Sequence, residues 1–166
     1  MKLKNITKLT EADLHYLAGF LDGDGSIMAQ IVKGNSYKYG YSIRVTICFY
    51  QKTKRHWFLL KLRKLLGKDW KIRKRNDGMS ELYITGFTRV KNILISLQPY
   101  FRLKSRLAKL VLEIIDEYSQ IQNEADFLEV CKKIDKTAEY TDSKKRKNTY
   151  SSVKTYLNSP VETEKT

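Results

Sequence analysis

From Ser42 to Tyr50 the chain alternates without a break, with Ile43, Val45, Ile47 and Phe49 on one side and Ser42, Arg44, Thr46, Cys48 and Tyr50 on the other. Strict period two excludes a helix here, because a helix would scatter the apolar set around its axis. It predicts a strand with one face on a core and one face on something polar, the pattern of an antiparallel sheet covered on one side. The flanking chain changes period. Thr10-Glu11-Ala12-Asp13 reads as a helix start, with Thr10 as N-cap and an acid three residues on. Leu14, Leu17, Ala18 and Leu21 then recur at helical spacing, and Asp22-Gly23-Asp24-Gly25 ends the helix. Ile27, Ala29 and Ile31 alternate more weakly with Met28, Gln30 and Val32, so Lys33 to Tyr41 reads as the loop of a hairpin.

The pattern repeats downstream. Trp57 to Leu66 carries Phe58, Leu62, Leu65 and Leu66 at helical spacing, and Gly67 closes it. Trp70 to Arg75 and Glu81 to Phe87 read as a second hairpin around Asn76-Asp77-Gly78. Val90 to Leu97 is a helix stopped before Pro99. Leu103 to Ile115 and Phe127 to Ile134 are further helices, and Ser151 to Leu157 is a short last turn. The order is helix, two strands, helix, two strands, helix, then C-terminal helices. That is an α+β fold with a four-stranded antiparallel sheet. With roughly 150 residues per domain, 166 residues make one domain. It is expected over 1–158, with 159–166 a polar tail that frays.

Charge narrows the partner. The net charge is +14, and eleven Lys/Arg against Asp69 alone place +10 of it between Lys52 and Arg75. Lys144-Lys145-Arg146-Lys147 is a second cluster. Two separate basic clusters point to a polyanion, foremost nucleic acid. The polar sheet face carries Gln30, Arg44, Thr46, Arg73, Arg75, Glu81 and Tyr83, side-chain types that read base edges, and a strand pair fits the major groove. Cys48 and Cys131 form no CxxC pair, which excludes a zinc finger and a disulfide framework. Cys131 lies on an apolar helical face and reads as core. No apolar run is long enough to span a membrane, and MKLKNITKLTEAD lacks the apolar stretch of a secretory signal.

Asp22 and Asp24 sit where a helix macrodipole disfavours acids, in a chain built for a polyanion. Two readings stand: a Gly-rich turn whose aspartates cap backbone, or hard oxygen ligands for a divalent cation shared with substrate phosphates.

Leu17-Ala18-Gly19-Phe20-Leu21-Asp22-Gly23-Asp24-Gly25 resembles the signature nonapeptide of the LAGLIDADG homing endonucleases, identical at six of nine positions and departing at Phe20, Leu21 and Gly23. Tyr16 before it, Ser26-Ile27 after it, Gln51-Lys52-Thr53-Lys54-Arg55, and Leu97-Gln98-Pro99-Tyr100-Phe101-Arg102-Leu103-Lys104 extend the likeness. It runs from about Leu14 to Val153 and looks closest to the single-motif branch encoded in organellar group I introns of algae.

The resemblance implies an αββαββα core whose sheet forms a DNA-binding saddle, reading DNA through strands at about 26–50 and 70–87. The motif helix, about 11–22, would pair two copies through Leu17, Ala18, Gly19, Leu21 and Asp22. A homodimer would then cut both strands of a long pseudo-palindrome and leave staggered ends. Asp24 and the Gly23 carbonyl would hold Mg2+, two or three ions per dimer with at least one shared between the two Asp24 residues. Mn2+ or Ca2+ would substitute in binding. Gln51 would position a water, and Arg55 and Lys104 would line the phosphate pocket as basic catalytic residues. Gln30, Tyr37, Ser42, Arg44, Thr46, Lys71, Arg73, Arg75, Glu81 and Tyr83 would meet bases or backbone, with Lys144 and Lys147 on phosphates. No membrane and no small-molecule substrate is implied, and the compartment would be a chloroplast or mitochondrion. Rival readings on the same scaffold are an intron RNA maturase and a non-cleaving DNA-binding regulator.

Overall fold

The computed structural model describes residues 6–142 and 145–159. Helix α1 runs over Glu11–Asp24 behind the expected cap. The Thr10 hydroxyl accepts from the Asp13 amide at 3.1 Å, and the Asp13 carboxylate accepts from the Thr10 amide at 2.9 Å. That reciprocal pair satisfies two otherwise orphaned donors. The helix passes into β1 (Gly25–Lys33) with no loop between them. A Cβ on Gly25 would lie 2.4 Å from Leu21 Cδ1 and 2.8 Å from Leu21 Cα, so only glycine fits this junction.

The chain continues through β2 (Tyr41–Lys52), α2 (His56–Leu66), β3 (Lys71–Lys74), β4 (Met79–Thr85), α3 (Phe87–Leu97), α4 (Ser105–Tyr118), α5 (Glu124–Lys136) and α6 (Tyr150–Asn158). The strands form one antiparallel sheet in the order β1-β2-β4-β3. Register sorts the side chains. Ile27 faces Ile47, which faces Ile84, and Phe49 faces Leu82 on the buried side. Gln30 faces Arg44, and Tyr50 faces Glu81, which faces Arg73, on the other. The helices cover the first face, so the second is left for a partner. Between them Trp70, Phe49 and Phe127 are the bulkiest fully buried side chains. Cys131 is buried in the core as the sequence implies.

Several elements are longer than their apolar periodicity shows. α5 starts at Glu124, three residues before Phe127, because Asn123 caps it by accepting from the Asp126 amide at 2.9 Å. Its polar first turn carries no stripe to read. The expected short turn near Ser151 is a nine-residue helix, α6, closed at its start by a Thr149–Ser152 capping box. Conversely β3 ends at Lys74, because the hairpin closes at Arg75, whose amide donates to the Met79 carbonyl at 2.7 Å.

Candidate functional site

The end of α1, the end of β2, the 3-10 turn Thr53–Arg55 and the segment before α4 converge on one corner. Gln51 Nε2 donates to Asp24 Oδ2 at 3.4 Å, and Arg55 Nε donates to Gln51 Oε1 at 2.5 Å. Lys104 reaches in from the other side, its Nζ donating to the Asp22 carbonyl at 2.6 Å. Four residues nominated from a 81-residue span of sequence, Asp24, Gln51, Arg55 and Lys104, therefore share one site.

Asp22 resolves half of the acidic-turn question. Its carboxylate accepts the backbone N–H groups of Arg102, Leu103 and Lys104 at 2.8, 3.2 and 2.9 Å. These bonds tie the Lys104 segment to the end of α1. Asp22 caps backbone, as a turn aspartate does. Asp24 is different. It is exposed, and the long Gln51 contact is the only hydrogen bond of its carboxylate among the described residues. Its carboxylate and the neighbouring Gly23 carbonyl are hard oxygen donors suited to a divalent cation. Among the described residues no three His, Cys, Asp or Glu side chains cluster as a metal cage. A cation here would thus take few ligands from one copy and the rest from phosphate, water or a second copy. Burial holds the Lys104 ammonium below the ordinary lysine pKa, against the opposite pull of Asp22, Asp142 and Asp24.

The open sheet face carries the expected readers in unequal states. Gln30, Arg44, Lys71, Arg73 and Arg75 are exposed, as is Lys147. Tyr37 and Tyr83 offer part of their rings. Glu81 is only 6% exposed: Arg73 Nε donates to one oxygen at 2.6 Å and Arg75 Nη1 to the other at 3.0 Å. It organises two arginines instead of standing free. Arg73 also lies over Tyr83, 5.4 Å from the ring centroid. Thr46 is buried mid-sheet, and the Ser42 hydroxyl is 3.3 Å from the Tyr118 hydroxyl. Lys144 lies outside the described residues. No local pattern points to the Tyr118 contact with Ser42, nor to the Ser26–Tyr50 hydroxyl pair at 3.1 Å. Burial pushes the Tyr50 phenol and the Cys48 thiol up to about 12, so both are neutral near pH 7.

The pairing face of α1 needs correction. Leu17, Ala18 and Leu21 are buried in the protomer's own core, and the Asp22 carboxylate is engaged by its own chain. Of the two small residues in the motif, Ala18 belongs to the inward stripe and Gly19 to the exposed face. The outward face carries Ala12, His15, Tyr16, Gly19 and Gly23, all exposed. A Cβ at Gly19 or Gly23 would meet nothing within 4 Å.

A family profile, LAGLIDADG endonuclease, matches residues 17–112. The DNA endonuclease I-CreI of Chlamydomonas reinhardtii is 41% identical over 160 residues, 96% of this chain and 97% of that protein. The DNA endonuclease I-CvuI of Chlorella vulgaris is 44% identical over 131 residues, 79% of this chain and 81% of that protein. A crystal structure of I-CvuI with its target in the presence of 2 mM Ca covers 88% of this chain and 92% of its own, with TM-score 0.82 at 40% identity. Another, with the I-CreI target and 2 mM Mg, shows DNA not cleaved; it has TM-score 0.81 at 38% identity and covers 94% of this chain and 96% of its own.

Proposed function

The chain belongs to the LAGLIDADG endonuclease family, and from that premise we propose that it is a homing endonuclease acting on one long duplex DNA site. It hydrolyses phosphodiesters on both strands of a pseudo-palindrome, as a homodimer, and leaves staggered ends. The observation that carries this reading is the linked corner of Asp24, Gln51, Arg55 and Lys104 at the rim of a basic sheet face. Phosphodiester hydrolysis needs a placed water, neutralised phosphate oxygens and help for the leaving oxygen. Arg55 fixes the Gln51 amide by binding its oxygen, which leaves Nε2 on the Asp24 side to hold a water without taking its proton. Lys104, tethered to the end of α1, places a positive charge where phosphate charge develops. The residues fit a divalent cation held by Asp24 and the Gly23 carbonyl. Such an ion would neutralise phosphate oxygens and lower the pKa of a bound water. We assign Mg2+, two or three per dimer with one shared between the Asp24 pair.

Arg44, Arg73, Arg75 and Lys71 supply phosphate and base contacts from the sheet, and Gln30, Tyr37 and Tyr83 add polar and aromatic ones. The exposed Gly19 and Gly23 face supports helix-to-helix pairing of two copies. The two algal relatives support an origin in an organellar intron and action in a chloroplast or mitochondrion. The test incubates the chain with a randomised duplex library, with Mg2+ or with EDTA, beside Asp24→Asn. Paired staggered cuts at one near-palindrome, absent with EDTA and in the variant, are expected. Binding without cutting under every metal would overturn the reading.

A further inference from the structure

The β1–β2 connection, residues 34–40, is closed on itself. Gly34 N–H donates to the Gly40 carbonyl at 3.0 Å, Tyr37 N–H to Gly34 at 3.1 Å, and Gly40 N–H to Tyr37 at 2.9 Å. Its far side rests on α6. Gly40 has φ +69, and a Cβ there would lie 2.2 Å from Cε1 of Tyr156. The Tyr156 ring also meets Tyr41 edge-on, with centroids 5.5 Å apart, and Lys33 Nζ lies 5.9 Å from its centroid. α6 is itself fixed: Asn148 Nδ2 donates to the Ile31 carbonyl of β1 at 3.0 Å, the Tyr150 amide donates to Asp135 Oδ2 at 3.1 Å, and Val153 is fully buried. Tyr156 is thus the tip of an anchored helix pressed against both ends of the loop that presents Tyr37.

We propose that Tyr156 is a positioning residue for target specificity, holding the 34–40 loop so that Tyr37 reads the base pairs farthest from the cleavage point. The inference rests on the DNA-cleaving reading above. Distance sets which base pairs these are. β1 starts beside Asp24 and runs eight steps to Lys33, so at about 3.3 Å per residue and about 3.4 Å per base pair the loop meets pairs roughly eight to eleven from the site of cutting.

The test profiles cleavage of every single-base variant of the wild-type target by wild type, Tyr156→Ala, Tyr156→Phe and Gly40→Ala, with thermal melts alongside. Tyr156→Ala and Gly40→Ala are expected to lower discrimination at the outer pairs by about fivefold or more, the low end of what one base contact supplies, with the inner pairs unchanged. Tyr156→Phe keeps the ring and the profile. An unchanged outer profile in Tyr156→Ala, or an equal loss at all positions, would overturn the inference while leaving the nuclease reading intact. Wild type cutting no specific site would overturn both.

Discussion

Asp22 and Lys104 hold each other from both ends although 82 residues separate them: the Asp22 carboxylate accepts the Lys104 backbone amide at 2.9 Å, and the Asp22 carbonyl accepts the Lys104 ammonium at 2.6 Å. The carboxylate also takes the amides of Arg102 and Leu103. One side chain therefore sets where the Lys104 segment lies relative to Asp24. Asp22→Asn keeps the size but replaces one acceptor oxygen by a donor that faces amide donors. Single-turnover cleavage is expected to fall by about ten- to a hundredfold, the cost of a misplacement near 1 Å. Target binding in Ca2+ is expected to hold. In a Lys104→Met background the same change should cost little, because the group it positions is gone. Equal losses in both backgrounds would show that Asp22 acts elsewhere.

Lys104 also sets a pH limb. Burial favours its neutral form, so its folded pKa lies below the ordinary lysine value of 10.5. As pH rises through that lowered value the ammonium is lost and cleavage should decline earlier than an exposed lysine would allow. Lys104→Arg does not titrate in this range. Its remaining activity should keep rising or stay flat through the same interval. Superimposable alkaline limbs for the two proteins would refute the assignment.

Glu81 restrains two arginines on the open face of the sheet, with both of its carboxylate oxygens engaged. Glu81→Gln removes a negative charge and loosens the hold on Arg73, while Arg75 keeps its ion pair with Asp77 at 2.6 Å. Non-specific affinity should rise severalfold, with the salt slope of log Kd growing by roughly one. Specific affinity should gain less, so the ratio of specific to non-specific binding narrows. Binding isotherms on target and random duplex at several salt concentrations read both quantities. A fall in specific affinity with non-specific affinity unchanged would show instead that Glu81 reads a base itself, and a widened ratio would refute the restraint.

What the sequence made legible was what repeats locally. Alternation along Ser42–Tyr50 named the strand and both its faces, and Thr10 with Asp13 named the start of α1. The hairpin register even contained the Glu81 link, since Arg73 and Glu81 fall opposite each other once the turn is placed at 76–78. Contacts across long separations left no local trace. Nothing near Asp22 points to residues 102–104, and nothing near Ser42 points to Tyr118. Buried polar pairs were hidden in the same way: His56 Nδ1 lies 2.9 Å from the hydroxyl of Ser80, a fully buried residue on the apolar side of β4. The corner of Asp24, Gln51, Arg55 and Lys104 was reached through resemblance, because no spacing rule joins a strand end to a segment some fifty residues on.

The outward face of α1 gives two expected effects of opposite sign. Gly19 is a mid-helix glycine with open space where a Cβ would go. In a lone protomer Gly19→Ala should therefore be stabilising, by about 0.5–1 kcal/mol, because glycine is the poorer helix former. In a homodimer that packs α1 against its copy, the same methyl enters the seam between two backbones. Gly19→Leu fills that seam with four carbons, on an exposed helix face where its Cβ meets nothing of its own protomer within 4 Å. Sedimentation velocity should show wild type as a dimer and Gly19→Leu as a folded monomer, its melting temperature independent of protein concentration, whereas wild type melts higher as concentration rises. Cleavage should disappear with the dimer, since each copy supplies one Asp24. A Gly19→Leu protein that stays dimeric would place the pairing surface elsewhere on the molecule.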